Sequence, residues 1–228
     1  MAITMYDLAG EDPNRRFSPF CWRTKLALAH KGLEVETIPW RFTEKQVIAK
    51  YNWERVPVII DNGRAVVDSW AIAKYLEEAY PQKPSLFGGG AGQPLARFYN
   101  QWADAFLHPA MARFVVMDIF NAIDPRDRDY FRKSREARFG MTLEEFGAER
   151  EKKLDAFRQS LEPLRQTLAE QPFLSGDQPL YPDYIVFGSF LWPRSISPFV
   201  LLDSADPISK WRERMLDKCS FVRKSPGY

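Results

Sequence analysis

The sequence predicts an α/β plus all-α protein, a small α/β half followed by a larger, wholly helical one. Short apolar runs of strand character lie ahead of Asp68, with a tight Asp61-Asn62-Gly63 turn among them. The stretch "PQKPSLFGGGAGQP" (Pro81 to Pro94) then has the composition of a linker. Beyond it only helix-period patterns recur. The expected division is a first domain over residues 1–83 and a second over residues 94–228.

Ile3 to Leu8 reads as a short strand. Ser18-Pro19 supply an N-cap and a proline at the first helical position. Trp22, Leu26 and Ala29 at i, i+4 and i+7 give that helix a face to bury, and Gly32 ends it after His30. Glu34 to Trp40 is a second strand, and Val56 to Ile60 and Ala65 to Val67 form a hairpin across Asp61-Asn62-Gly63. Another helix begins at Asp68-Ser69 with Ser69 as its expected cap, carries Ile72, Tyr75, Leu76 and Ala79, and stops at Pro81. The order β-α-β, then β-β-α, is that of a thioredoxin-like domain.

In the second half, Leu95 to about Asn121 and about Leu143 to Ala169 are long helical segments. Thr142 and Glu145 open the latter in capping-box spacing. The alternating charges from Asp124 to Arg138 read as a solvated helical face. Pro182 to Trp192 is apolar on nearly every side, as a buried helix is.

Composition narrows the function classes. The 228 residues are 45% apolar and 27% charged, as in an ordinary globular protein long enough for a sizeable core. With 32 Lys and Arg against 30 Asp and Glu, the net charge of +2 argues against a nucleic-acid or acidic-membrane partner. It leaves room for a small anionic ligand. Neither a signal peptide nor a membrane-length apolar run is visible, so a cytoplasmic location is expected. Cys21 and Cys219, with only His30 and His108 beside them in the sequence, lack metal-ligand spacing and read as free thiols.

The motifs point to a peptide thiol. Ser18-Pro19-Phe20-Cys21 has the form of the Cys-Pro-aromatic-Cys redox motif with oxygen in place of the first sulfur. Thiol-disulfide exchange needs an attacking thiolate at that first position. A serine there can instead donate a hydrogen bond to a sulfur anion supplied by a ligand, at a helix N-terminus that favours the anion. Pro57 cannot donate to a strand ladder, and in the cis form beside the first helix it leaves the Val56 backbone free to pair with an extended peptide. The helix start at Asp68-Ser69 offers amides and a positive dipole end to a carboxylate, with Asp68 placed for an ammonium. Gly88 to Gly92 lacks the preceding strand and the Lys-Ser/Thr pair of a phosphate loop and reads as a flexible linker.

The segments "FSPFCWRTKLALAHKG", "ERVPVIIDNG", "VVDSWAIAKYLEEAYP" and "FLSGDQPLYPDYIVF" follow one another in an order and spacing that resemble the cytosolic glutathione transferase superfamily across nearly the whole chain. The first-helix pattern is similar to its serine-type members, most of all the bacterial β-etherases of lignin breakdown and their fungal relatives. The resemblance implies glutathione as co-substrate, a hydrophobic electrophile as acceptor and a homodimer. It implies that Ser18 holds the thiolate, that Val56 beside Pro57 pairs with the cysteinyl backbone, and that Asp68 and Ser69 hold the γ-glutamyl group. Arg55 and Lys45 are the candidates for the glycyl carboxylate, and Tyr6, where other branches keep a catalytic tyrosine, is the reserve hydroxyl. One departure stands out: the family usually has Ser or Thr three residues before the aspartate matching Asp183, where this chain has Leu180.

Phe17, Phe106, His108, Met111, Phe114 and Trp192 are of the types that line an acceptor pocket, and equally of the types that fill a helix interface. Cys21 reads as an inert packed thiol. Two other functions stay open: a non-catalytic glutathione- or ligand-binding protein, and a glutathione-dependent thiol oxidoreductase using Cys21.

Overall fold

β1 (Ile3–Leu8) is buried along nearly its whole length because both of its faces and both of its edges are covered. The structure, a computed structural model, describes residues 2–227. α1 (Pro19–His30) connects β1 to the parallel β2 (Val35–Trp40), in register from Ile3 opposite Val35 to Leu8 opposite Trp40. A short α2 (Lys45–Ile48) and one 3₁₀ turn lead to the antiparallel pair β3 (Val58–Asp61) and β4 (Arg64–Val67), and α3 (Ser69–Ala79) follows. The sheet order is β2-β1-β3-β4. The expected strand from Val56 begins only at Val58, since Pro57 has no N–H for the ladder.

Two further expectations shift at the helix starts. Asp68, not Ser69, caps α3: its carboxylate accepts from the amides of Trp70 and Ala71, both at 3.0 Å, so Ser69 is already the first helical residue. On α1, Trp22 and Leu26 are buried as expected while Ala29 is exposed. The extra coverage comes from the helical half, which buries Arg23, Thr24 and Lys25 as well.

That half begins with α4 (Gly92–Trp102), which runs through a π-helical turn over Ala103–Leu107 into α5 (His108–Ala122). α6 (Arg128–Phe139), α7 (Leu143–Gly147), α8 (Arg150–Ser160), α9 (Glu162–Glu170), α10 (Tyr181–Ile196) and α11 (Pro207–Lys218) follow. The long helix expected from Leu143 to Ala169 is therefore three pieces. Glu149 in a left-handed conformation (φ 56°) breaks it once, and Pro163, which lacks an N–H, restarts it at α9. Thr142 and Glu145 do form the capping box.

The stretch from Asp124 to Arg138 is less solvated than its charges imply. Asp127 is fully buried and Asp124 nearly so, because each meets partners from the first half: Asp127 accepts from the Phe42 and Thr43 amides, and Asp124 forms an ion pair with Arg41 at 3.0 Å. The Pro81–Pro94 stretch is likewise docked rather than flexible, with Leu86 and Phe87 buried and the Leu86 carbonyl accepting from the Tyr181 amide at 2.9 Å. A Cβ on Gly92 would sit 1.7 Å from the Phe87 carbonyl oxygen.

α10 is the centre of the helical half and packs directly on α1. Gly188 permits this, since a Cβ there would lie 2.9 Å from the Pro19 carbonyl oxygen. Burial of side chains such as Trp22, Leu26, Phe187 and Phe190 is worth about 1.5–3 kcal/mol each. With Leu180 unable to cap α10, Asp183 keeps half of the capping box by accepting from the Leu180 amide at 3.2 Å. Among the described residues no helix is long and apolar enough to cross a membrane.

Candidate functional site

Ser18 ends the loop after β1 in an extended conformation (φ −66°, ψ 124°) and caps α1, its Oγ accepting from the Cys21 amide at 3.3 Å. The side chain is almost fully buried, and the Cys21 sulfur is the partner of its hydroxyl within the chain. A neutral thiol is a weak acceptor, so a sulfur anion at this positive helix end would compete well for that O–H. The thiol of Cys21 faces inward at zero exposure; burial and the Asp7 carboxylate push its pKa far above the usual thiol range. It cannot serve as a thiolate at neutral pH.

The β3–β4 pairing places Val58 opposite Val67, so the corner at Asp68-Ser69 lies alongside Val56-Pro57. The Val56–Pro57 bond is cis. The Val56 amide and carbonyl have no partner within the chain among the described residues. Ser69 is buried, its carbonyl accepts from the Tyr181 hydroxyl at 2.9 Å, and its own hydroxyl bonds to nothing among the described residues. Asp68 sits at φ 70°, ψ 131°, a region that non-glycine residues avoid, and uses only Oδ1 for capping. Its second oxygen has no partner among the described residues.

The two cation candidates differ. Lys45 is bound to Glu54 at 3.0 Å, while Arg55 is exposed and has no acidic partner among the described residues. Tyr6 alternates with Asp7 along β1. Asp7 points to α1, where Lys25 Nζ lies 2.8 Å from it, so Tyr6 points to the other face, 6.3 Å from the Tyr51 ring. Burial and Tyr51 raise its pKa.

On the helical side, Met111 and Phe114 are core residues and Phe17 is buried, whereas Phe106 and Phe20 are 38% and 36% exposed. Phe20, beside Ser18, packs edge-on against His108 at 5.1 Å. Sequence reasoning passed over it and the network beneath it. Arg23, fully buried, donates to Asn100 Oδ1 (2.7 Å) and Asp104 Oδ1 (2.9 Å), tying α1 to α4 and its π turn. The Ser189 hydroxyl donates to the Ile185 carbonyl, so His108 Nε2 donates to Ser189 at 2.9 Å. Burial and the Arg23 charge lower the His108 pKa well below the ordinary value. Nothing local marks a π turn, so only the pairing of Arg23 with an acid one domain away could have shown this cluster.

Two cavities of about 420 and 720 Å³ lie elsewhere, on either side of Phe221 along α1, and neither reaches Ser18, Val56 or Ser69.

The family model described as glutathione S-transferase, N-terminal domain, matches residues 13–84, and that described as glutathione S-transferase, C-terminal domain, matches residues 94–206. Glutathione transferase omega-1 of Caenorhabditis elegans is 27% identical over 216 residues, 89% of this chain and 75% of that protein. Glutathione S-transferase U26 of Arabidopsis thaliana is 25% identical over 214 residues, 90% of this chain and 84% of that one. A glutathione transferase structure from Phanerochaete chrysosporium superposes with a TM-score of 0.83 at 26% identity, covering 94% of this chain and 96% of its own. A glutathione S-transferase of Ceriporiopsis subvermispora, solved in complex with glutathione, has the same fold at a TM-score of 0.83 and 23% identity, covering 97% and 98% of the two chains. Fold and sequence agree: the chain belongs to the glutathione S-transferase family.

Proposed function

We propose that the chain binds glutathione at the corner formed by Ser18, Val56 and Asp68-Ser69 and directs its sulfur to an electrophilic carbon. The observation that carries this is the buried Ser18 hydroxyl capping the α1 N-terminus, together with a Val56 backbone whose amide and carbonyl are unpaired among the described residues at the corner that holds Ser69. Glutathione would supply the nucleophile. Ser18 is far too weak a base to take the thiol proton; it donates a hydrogen bond to the sulfur anion, and the helix dipole favours the charge. Val56 pairs with the cysteinyl backbone, Ser69 and the α3 amides take the α-carboxylate, and Asp68 Oδ2 takes the ammonium. The C–S bond forms as the bond to the leaving group breaks. For a β-aryl ether, the finer reading, the departing aryloxide carries the electron pair and takes a proton from water.

Calorimetric titration with glutathione, followed by turnover of a panel of β-aryl ethers and general electrophiles with product analysis, tests the reading. Binding with formation of thioethers is expected. No binding at millimolar glutathione overturns it, and binding without turnover leaves a carrier protein. The buried Cys21 predicts that Cys21→Ser keeps conjugating activity within a few-fold; its loss in a folded variant would favour the oxidoreductase.

Ser69→Ala should weaken glutathione binding by about 1–3 kcal/mol, the usual value of a hydrogen bond to a charged group. Because Asp68 is the cap, thermal stability should barely change; an unchanged Kd would reduce Ser69 to a packing residue. A homodimer belongs to the same proposal. Leu95 and Phe98 on α4, 61% and 65% exposed, are the apolar surface a second copy would cover, and light scattering on Phe98→Glu should show a shift to monomer.

A further inference from the structure

Asp127, just ahead of α6, accepts from the Phe42 amide (2.9 Å), the Thr43 amide (3.0 Å) and the Thr43 hydroxyl (2.6 Å). This clamp holds α6 against the loop between β2 and α2. The Phe42 ring lies 5.6 Å from Phe131 and 6.4 Å from Tyr130 on one side, and 6.3 Å from Phe17, the neighbour of Ser18, on the other. Further along α6, Arg135 spreads its guanidinium over Phe42 (5.1 Å) and Phe131 (4.7 Å). It donates to the hydroxyl of its neighbour Ser134, and no carboxylate among the described residues pairs with it.

Arg55 and Arg138 are equally without an acidic partner among the described residues. Arg23, Arg41, Arg132 and Arg150 each have one. Burial, then the charges of Arg138 and Arg55, pull the Arg135 pKa down to about 10. Lys45 lies 5.2 Å from the Tyr130 ring of α6 and 3.0 Å from Glu54, the neighbour of Arg55, which brings Arg55 toward α6. Unpaired guanidiniums from two halves of the molecule, with no counter-ion among the described residues, mark a place for an anion that guanidinium forks recognise.

The anion follows from the direction of the peptide. With its γ-glutamyl end at Ser69 and its middle at Val56, a bound tripeptide runs on toward Arg55, the residue before Val56, and an extended tripeptide spans about 10 Å. We infer that Arg135, reaching across from α6, joins Arg55 in binding the terminal carboxylate of the tripeptide, so that α6 closes this end of the site. The inference rests on the glutathione reading above. Lys45, in an exposed ion pair with Glu54, stays a candidate beside them.

Calorimetry with glutathione and with its glycine-amide analogue separates the carboxylate from the rest of the ligand. Wild-type protein should prefer glutathione over the amide. Arg135→Gln should weaken glutathione binding about tenfold or more and leave the amide within twofold, since only the charged hydrogen bonds are lost. Arg135→Lys, which keeps the charge but not the fork, should fall between and serves if the glutamine variant does not fold. Equal weakening of both ligands would make Arg135 a packing residue, and no change in either would place it outside the site; both overturn the inference. If wild-type protein binds neither ligand, the glutathione reading itself falls, and this inference with it.

Discussion

Ser18→Ala is expected to lower kcat by about 10- to 1,000-fold, the range set by removing one donor to a developing or stabilised anion. Glutathione affinity should change little, because the proposed binding mode anchors the peptide through Val56, the α3 start and the cations at its far end and gives the Ser18 hydroxyl only the sulfur. The split between kcat and Kd is the signature that separates a thiolate donor from a binding residue. Ser18 also caps α1 through the Cys21 amide, so the variant should lose about 0.5–2 kcal/mol of stability. A melting curve establishes that the assay temperature lies in the folded baseline. Full turnover by Ser18→Ala, with activity abolished in Tyr6→Phe, would move the hydroxyl to β1.

Asp183→Asn should destabilise the protein by about 3 kcal/mol or more. Asp183 is fully buried and its two oxygens accept four N–H donors: Leu174 (2.8 Å) and Trp211 Nε1 (3.0 Å) on Oδ1, Ser175 (3.1 Å) and Leu180 (3.2 Å) on Oδ2. Burial raises its pKa while these donors pull it back. An isosteric amide changes no volume, yet whichever oxygen becomes NH₂ opposes two donors that have no other partner among the described residues. Each buried group left unsatisfied costs about 1–3 kcal/mol. Against a total stability of about 5–15 kcal/mol this is a large fraction, and chemical denaturation measures it. A loss below about 1 kcal/mol would mean that the loop before α10 finds other acceptors. With Leu180 in place of a capping hydroxyl, α10 relies on Asp183 all the more.

What was legible in the sequence was local. The Ser18-Pro19 cap, the Asp61-Asn62-Gly63 hairpin and the Thr142–Glu145 box each specify their geometry within a few residues, and all three occur. The cap of α3 was misplaced by one residue because Asp and Ser both cap well. The choice rests on the positive φ of Asp68, which the strand-to-helix corner imposes and the residue types do not reveal. Asp127 looked like one charge in a solvated run, and its burial depends on amides 84 and 85 residues away. The same distance hid Arg135, whose stacking on Phe42 follows only from that clamp. The π turn before His108 joins residues whose pattern is equally good for an unbroken helix.

The central claim is that Ser18 holds the sulfur of glutathione as a thiolate. Ultraviolet titration of the thiolate band in the complex, for wild type, Ser18→Ala and Tyr6→Phe, tests it directly. The bound thiol should titrate below its free value in wild type, move upward in Ser18→Ala and stay in place in Tyr6→Phe. An unshifted titration in Ser18→Ala, with the upward movement appearing in Tyr6→Phe instead, would contradict the account.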